Sequence, residues 1–86
     1  MPIIIVSSRF TRQLKKLLRK NPELENVVKG KIEQISKNPR HPTLRLHKLS
    51  GQENWSISIS NDLRIIIHWD GDEMYLLGLG SHDQVY

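Results

Sequence analysis

Residues 55–79 read WSISISNDLRIIIHWDGDEMYLLGL. Trp55, Ile57 and Ile59 alternate with Ser56, Ser58 and Ser60, the two-residue period of a strand with one face in a core. Asn61-Asp62 predicts a tight turn into a second strand over residues 63–69. Asp70-Gly71-Asp72 is a strong hairpin signal into a third strand over residues 73–79. Upstream, Leu44 and Leu46 point one way and Arg45 and His47 the other, extending the alternation back across a loop at residues 50–54. The second half of the chain is thus read as an antiparallel meander.

The first half changes period. Residues 2–6 are apolar and β-branched, a buried strand, and Ser7 and Ser8 are candidate helix N-caps. Phe10, Leu14, Leu17 and Leu18 then recur at helical spacing while Arg9, Arg12, Lys15, Lys16, Arg19 and Lys20 fill the other faces, an amphipathic and very basic helix. Asn21-Pro22 breaks it, and Pro22 suits the first turn of a second helix. That helix carries Leu24, Val27, Val28, Ile32 and Ile35 and ends near Lys37, with Gly30 as an internal defect costing about 1 kcal/mol. The order β-α-α-β-β-β predicts an α+β fold, an N-terminal strand and two-helix hairpin packed on an antiparallel sheet. At 86 residues the chain is expected to be a single domain, 1–86,.

Composition removes several classes. With no cysteine there is no disulfide scaffold, which fits a reducing compartment and an expected cytoplasmic location,. No apolar run approaches the roughly 18 residues of a membrane span. The N-terminal apolar run has no basic stretch ahead of it, so no secretory signal is expected. The net charge of +4 conceals an asymmetry: residues 1–48 hold 12 Lys/Arg against three Glu, and residues 49–86 hold one Arg against six acids. Such a split fits a polyanion-binding face or a docking face for an acidic protein, and equally a solvated lysine-rich surface.

Strand parity sorts the second half into two faces. Leu44, Leu46, Trp55, Ile57, Ile59, Leu63, Ile65, Ile67, Leu77 and Leu79 are expected to face the helices. Arg45, His47, Ser56, Ser58, Ser60, Arg64, Gly78, Gly80 and, if the strand continues, His82 share the opposite face, a groove in which glycines leave room for a ligand. Ile66 and His68 have the same parity. No metal-ligand spacing, phosphate loop or nucleophile elbow is present, so no metal or cofactor is expected. Imidazole, guanidinium, carboxylate and phenol remain, groups suited to metal-independent RNA cleavage by acid–base catalysis and phosphate stabilisation. Each has a second reading on residue type alone. His47 and His82 are also ordinary surface histidines, Arg64 half of a structural ion pair, and Tyr86 a frayed terminus.

Four segments carry a resemblance over nearly the whole chain: Arg9-Phe10-x-Arg12-x-Leu14-x-x-Leu17, His47-Lys48-Leu49-Ser50-Gly51, Asp62-Leu63-Arg64-Ile65-Ile66, and Gly80-Ser81-His82-Asp83-Gln84-Val85-Tyr86. In this order they resemble the RelE/ParE toxin superfamily of toxin–antitoxin pairs, closest to the RelE and YafQ-like ribosome-dependent messenger-RNA endonucleases. The resemblance implies that His82 is a catalytic histidine, His47 a functional histidine, Arg64 a phosphate-binding arginine, Asp62 a functional aspartate and Tyr86 an aromatic that stacks on or activates the substrate nucleotide. Ser58 stands where the YafQ-like branch has a further histidine and Leu63 where it has a tryptophan, which leaves the general base open. The implied partners are a cognate antitoxin and the ribosome with its messenger RNA. Arg9, Arg12, Lys15, Lys16, Arg19, Arg45 and Lys48 are expected to contact RNA, since cation–phosphate contacts dominate such affinity. ParE-like relatives share the fold and poison DNA gyrase instead, and an inactive relative that only binds RNA or an antitoxin is a third possibility.

Overall fold

The computed structural model describes residues 2–49, 53–60 and 62–81. Strand β1 (Ile3–Val6) leads into helix α1 (Ser8–Lys20) and helix α2 (Leu24–Lys37). A short 3₁₀ turn (Pro42–Leu44) follows, then β2 (His47–Lys48), β3 (Trp55–Ser58), β4 (Leu63–Asp70) and β5 (Glu73–Ser81). The strands form one five-stranded sheet in the order β1-β5-β4-β3-β2. Strands β2 to β5 are antiparallel neighbours, while β1 runs parallel to β5, so the sheet is mixed and not wholly antiparallel. No tight hairpin constrains this pair, because both helices and strands β2 to β4 lie between β1 and β5 in the chain,. The fold class is α+β, two helices on a five-stranded mixed sheet.

The core is one cluster in which Phe10 of α1 and Val28 and Ile35 of α2 meet Leu44, Ile57, Ile65, Ile67, Met74, Leu76 and Leu79. Leu14, Leu17, Trp55 and Trp69 pack around its rim. Burial of this apolar surface holds the helices to the sheet at roughly 25 cal/mol per Å².

Three local readings are corrected. Leu44 is buried, but it sits in the 3₁₀ turn, and Arg45 follows in the left-handed region at φ 50°, so strand alternation begins only at His47. The His41 imidazole accepts from the Thr43 N–H at 3.2 Å and so caps that turn. Strand β3 stops at Ser58; Ile59 turns out of the ladder yet remains buried.

The third correction concerns β5. Ile66 pairs with Gly78, but Ile67 pairs with Leu76, leaving Leu77 as the extra residue of a β-bulge. A bulge shifts side-chain phase by one, so Met74, Leu76 and Leu79 enter the core and Leu77, assigned there by simple parity, is only half-buried,.

Helix α1 holds this bulge in place. The Ser7 hydroxyl accepts from the Phe10 N–H at 3.0 Å as the N-cap of α1, and donates to the Leu77 carbonyl at 3.0 Å. Six residues further along Gln13 Oε1 accepts from the Leu79 N–H at 2.7 Å. Where β1 ends, α1 therefore takes over the hydrogen bonds of the β5 edge. Ser7→Ala removes both bonds and should destabilise the fold by about 1–2 kcal/mol. The check is a lower urea midpoint at unchanged m-value, with Ser8→Ala, on the exposed first turn, shifting it by no more than about a quarter as much.

Candidate functional site

Cross-strand register assembles the outer face of the sheet, the one turned away from the core. His47 lies opposite Ser56, Ser56 opposite Ile66, and Ile66 opposite Gly78. One step along, Ser58 lies opposite Arg64 and Arg64 opposite Gly80. Directly opposed residues share a face, so His47, Arg64, two serines and two glycines stand together as parity predicted. His47 and Gly78 are three strand spacings apart, about 14 Å.

The serines do not line an open floor: Ser56 is 0% and Ser58 7% exposed. The Ser58 hydroxyl instead donates to the Ser60 carbonyl at 2.9 Å, bracing the turn into β4. His47 is exposed and Arg64 half-buried, with its Nε shut off from solvent. Asp62 is exposed in the β3–β4 turn, two residues before Arg64. His82 and Tyr86 lie outside the described residues.

Of the expected RNA-contacting residues, Arg9, Arg12, Lys15, Lys16 and Arg19 are all exposed on α1. Arg9 reaches the edge of the outer face. A Cβ added at Gly78 would lie 3.6 Å from Arg9 Nε and 2.8 Å from Gln13 Oε1. Gly78 is thus required because α1 crosses beside it, not because it opens the groove. Lys16 and Gln13 also line a cleft of about 330 Å³ with Leu17, Leu63, Leu79 and Gly80, at the end where β5 finishes. Lys48 pairs with Trp55 on the helix side of β2, its ammonium 6.0 Å from the indole, and so faces away from His47. Arg45 is exposed but precedes the strand, outside the register.

Sequence parity missed two members of the outer face. The Leu77 bulge places Tyr75 opposite His68 and Glu73 opposite Asp70, on the face of Arg64 and Ile66,. The His68 and Tyr75 rings lie 5.8 Å apart, and the Tyr75 hydroxyl donates to Glu73 at 3.2 Å. The signal available in the sequence was the Leu76-Leu77-Gly78 run, an apolar doublet before glycine that breaks alternation.

Among the described residues no group of three or more His, Cys, Asp or Glu is placed to hold a metal ion, and no helix is long and apolar enough to cross a membrane. What the outer face offers is a guanidinium and an imidazole beside a phenol–imidazole pair, with α1 supplying further cations at the β5 edge.

No protein-family model and no curated protein sequence matches the chain. Solved structures do. A copper-bound mutant toxin from Helicobacter pylori superposes with a TM-score of 0.80 at 26% identity, covering 100% of both chains. YafQ from E. coli gives 0.78 at 18% identity over 100% of this chain and 99% of its own, and is also solved as a DinJ–YafQ toxin–antitoxin complex. A YoeB/ParE toxin from Agrobacterium tumefaciens gives 0.76 at 14% identity over 95% and 99%. These structural neighbours are RelE-type toxins, and the chain has their fold.

Desolvation first, then the hydrogen bond to Glu73 and the charges of Glu73 and Asp70, raise the Tyr75 pKa above its ordinary 10.0. The folded chain therefore holds this proton more tightly than the unfolded chain does. The stability it contributes is present below the ordinary phenol value and lost as pH rises beyond it. In a Tyr86→Phe background Tyr75 is the only phenol left, and absorbance titration should place it above 10.0. Glu73→Gln should move it back down; an unchanged titration would show that Glu73 does not act on it.

Proposed function

We propose that the chain is the toxin of a type II toxin–antitoxin pair and that it cleaves messenger RNA on the ribosome. The observation that supports this reading is the cross-strand register that sets His47 and Arg64 on one outer sheet face, in a fold shared with toxin structures.

The reaction needs no metal. A base takes the proton of a ribose 2′-hydroxyl, and the oxygen attacks the adjacent phosphorus. The P–O5′ bond then breaks, and the departing 5′-oxygen takes a proton from an acid. The products are a 2′,3′-cyclic phosphate and a 5′-hydroxyl. Arg64 holds the scissile phosphate, where a guanidinium stabilises the charge growing on the equatorial oxygens. His82 is the general acid, because imidazole titrates near neutrality, at about 6.5, and can donate at working pH. His47 serves as base or charge stabiliser, with Asp62 beside the site and Tyr86 stacked on the base at the cut.

The partners follow from charge. The α1 cations, with Arg45 and Lys48, bind ribosomal RNA; an antitoxin neutralises the toxin by covering the outer face or displacing the C-terminal segment. The place of action is the cytoplasm.

His82→Ala should lower message cleavage by about 10²–10⁴ and abolish growth arrest, while the variant stays folded and binds its antitoxin. Primer extension on a message translated in vitro reads the outcome. Cleavage at the wild-type rate would remove His82 from catalysis, and gyrase-dependent DNA breaks in place of cut messages would favour a ParE-like poison. Separately, charge reversal at Lys15, Lys16 and Arg19 should weaken ribosome binding and flatten its dependence on salt. Unchanged binding and salt slope would place the ribosome contact elsewhere.

A further inference from the structure

Along β4 the outer face presents Arg64, Ile66, His68 and Asp70 in succession, each two residues and about 7 Å from the next,. The chemistry changes at every step. Arg64 is a cation between the small residues Ser58 and Gly80. Ile66 is half-buried beside Gly78, a bare apolar surface. His68 and Tyr75 form a half-exposed ring pair with centroids 5.8 Å apart, and Ile5 of β1 flanks Tyr75. Asp70 and Glu73 then close the series with negative charge.

We propose that the His68–Tyr75 pair is a base-stacking subsite for single-stranded RNA, seating the second nucleotide along from the phosphate held by Arg64. This rests on the function proposed above and adds to it the platform that reads the flanking sequence.

Three features select RNA as the occupant. The two-residue step of a strand is close to the distance between neighbouring nucleotides of an extended, unstacked strand. Such splayed bases are the ones that proteins stack on aromatic side chains of an open sheet. The ring is also fixed before binding. The Tyr75 hydroxyl is tied to Glu73 at 3.2 Å, so less conformational freedom is lost when a base settles on it,. Charge sets the extent of the site: phosphate is favoured at the Arg64 end and repelled at Asp70 and Glu73, so the bound strand stops after about two bases,. A peptide has no need of this polarity. An acidic peptide would be held at Arg64 alone, and an apolar one would ignore the charges at both ends.

The test is equilibrium binding of a fluorescein-labelled tetranucleotide RNA by the intact protein. The RNA carries a 2′-O-methyl group at every sugar, so that no cut can occur. Wild type should bind it. Tyr75→Ala should weaken binding about 5- to 150-fold, the range of one lost base–aromatic stack, while Tyr75→Phe, which keeps the ring and loses only its tie to Glu73, should lose a clearly smaller factor, about two- to fourfold,. The salt slope should be the same in all three, since no phosphate contact is removed. Circular dichroism establishes that each variant is folded.

Wild-type affinity in a folded Tyr75→Ala variant would overturn the subsite, whether or not the protein cuts messages. So would a loss equal in Tyr75→Phe, or a tetranucleotide that wild type does not bind. Loss of antitoxin binding in Tyr75→Ala with RNA binding intact would reassign the pair to a protein partner. Message cleavage on the ribosome, read separately, decides the catalytic reading alone.

Discussion

The hydrogen bonds from α1 to the edge of β5 are the constraint on which the rest of the molecule turns. Strand β1 spans only four residues and leaves the second half of β5 without a neighbour on that side. A bare edge would leave carbonyl and amide groups seeking partners. Ser7 and Gln13 supply them, and do so at the bulge, where the ladder to β4 is itself irregular. One hydroxyl starts the helix and fixes the bulge together. The position of α1, the phase of Met74, Tyr75 and Leu76, and the absence of a side chain at Gly78 are then parts of one solution.

Helix α1 is built against its own electrostatics. It carries six cations and no acid, with Arg12 and Lys16, Lys15 and Arg19, and Lys16 and Lys20 four residues apart. Each such like-charge pair is unfavourable by about 0.2–0.5 kcal/mol. Arg19 and Lys20 gain something from the C-terminal end of the helix dipole, but Arg9 and Arg12 at the other end do not,. Helix α2 balances its charge differently, with Lys29 on Glu25 at 3.0 Å and Lys37 on Glu33 at 3.3 Å. A surface selected for stability alone would treat both helices as it treats α2. The uncompensated field of α1 is the feature on which the proposed contact with a polyanionic partner rests,.

Much of the architecture was legible because local chemistry and long-range packing agree. The alternation from Trp55, the turn at Asp70-Gly71, the start of α1 at Ser7 and the end of α2 at Lys37 appear where residue type alone puts them, whereas α2 begins at Leu24, after Pro22. His47 and Arg64 share a face because the register from β2 through β3 to β4 runs without a bulge, His47 opposite Ser56 and Arg64 opposite Ser58. The failures fall where a residue leaves the period for a reason held elsewhere in the chain. Leu77 is displaced by a bond from Ser7, 70 positions away in sequence, and Leu44 is buried from a 3₁₀ turn, where alternation has no meaning. The parallel pairing of β1 is likewise a property of the whole sheet and not of residues 2–6. His82 and Tyr86, read from the resemblance, lie beyond the last described residue.

The Arg64 position shows how the two halves of the molecule divide their tasks. A half-buried guanidinium in a central strand is costly to desolvate, and a hydrophobic residue of similar volume would serve the sheet at least as well,. Its cross-strand neighbours are Ser58 and Gly80, both small and both buried. The Ser58 hydroxyl is turned to the Ser60 carbonyl, so neither neighbour spreads apolar surface over the guanidinium. The opposite face makes the contrary choice in the adjacent row, where Ile57, Ile65 and Leu79 are all buried. One face of the sheet is therefore closed apolar packing, and the other sets a half-buried guanidinium between two small neighbours.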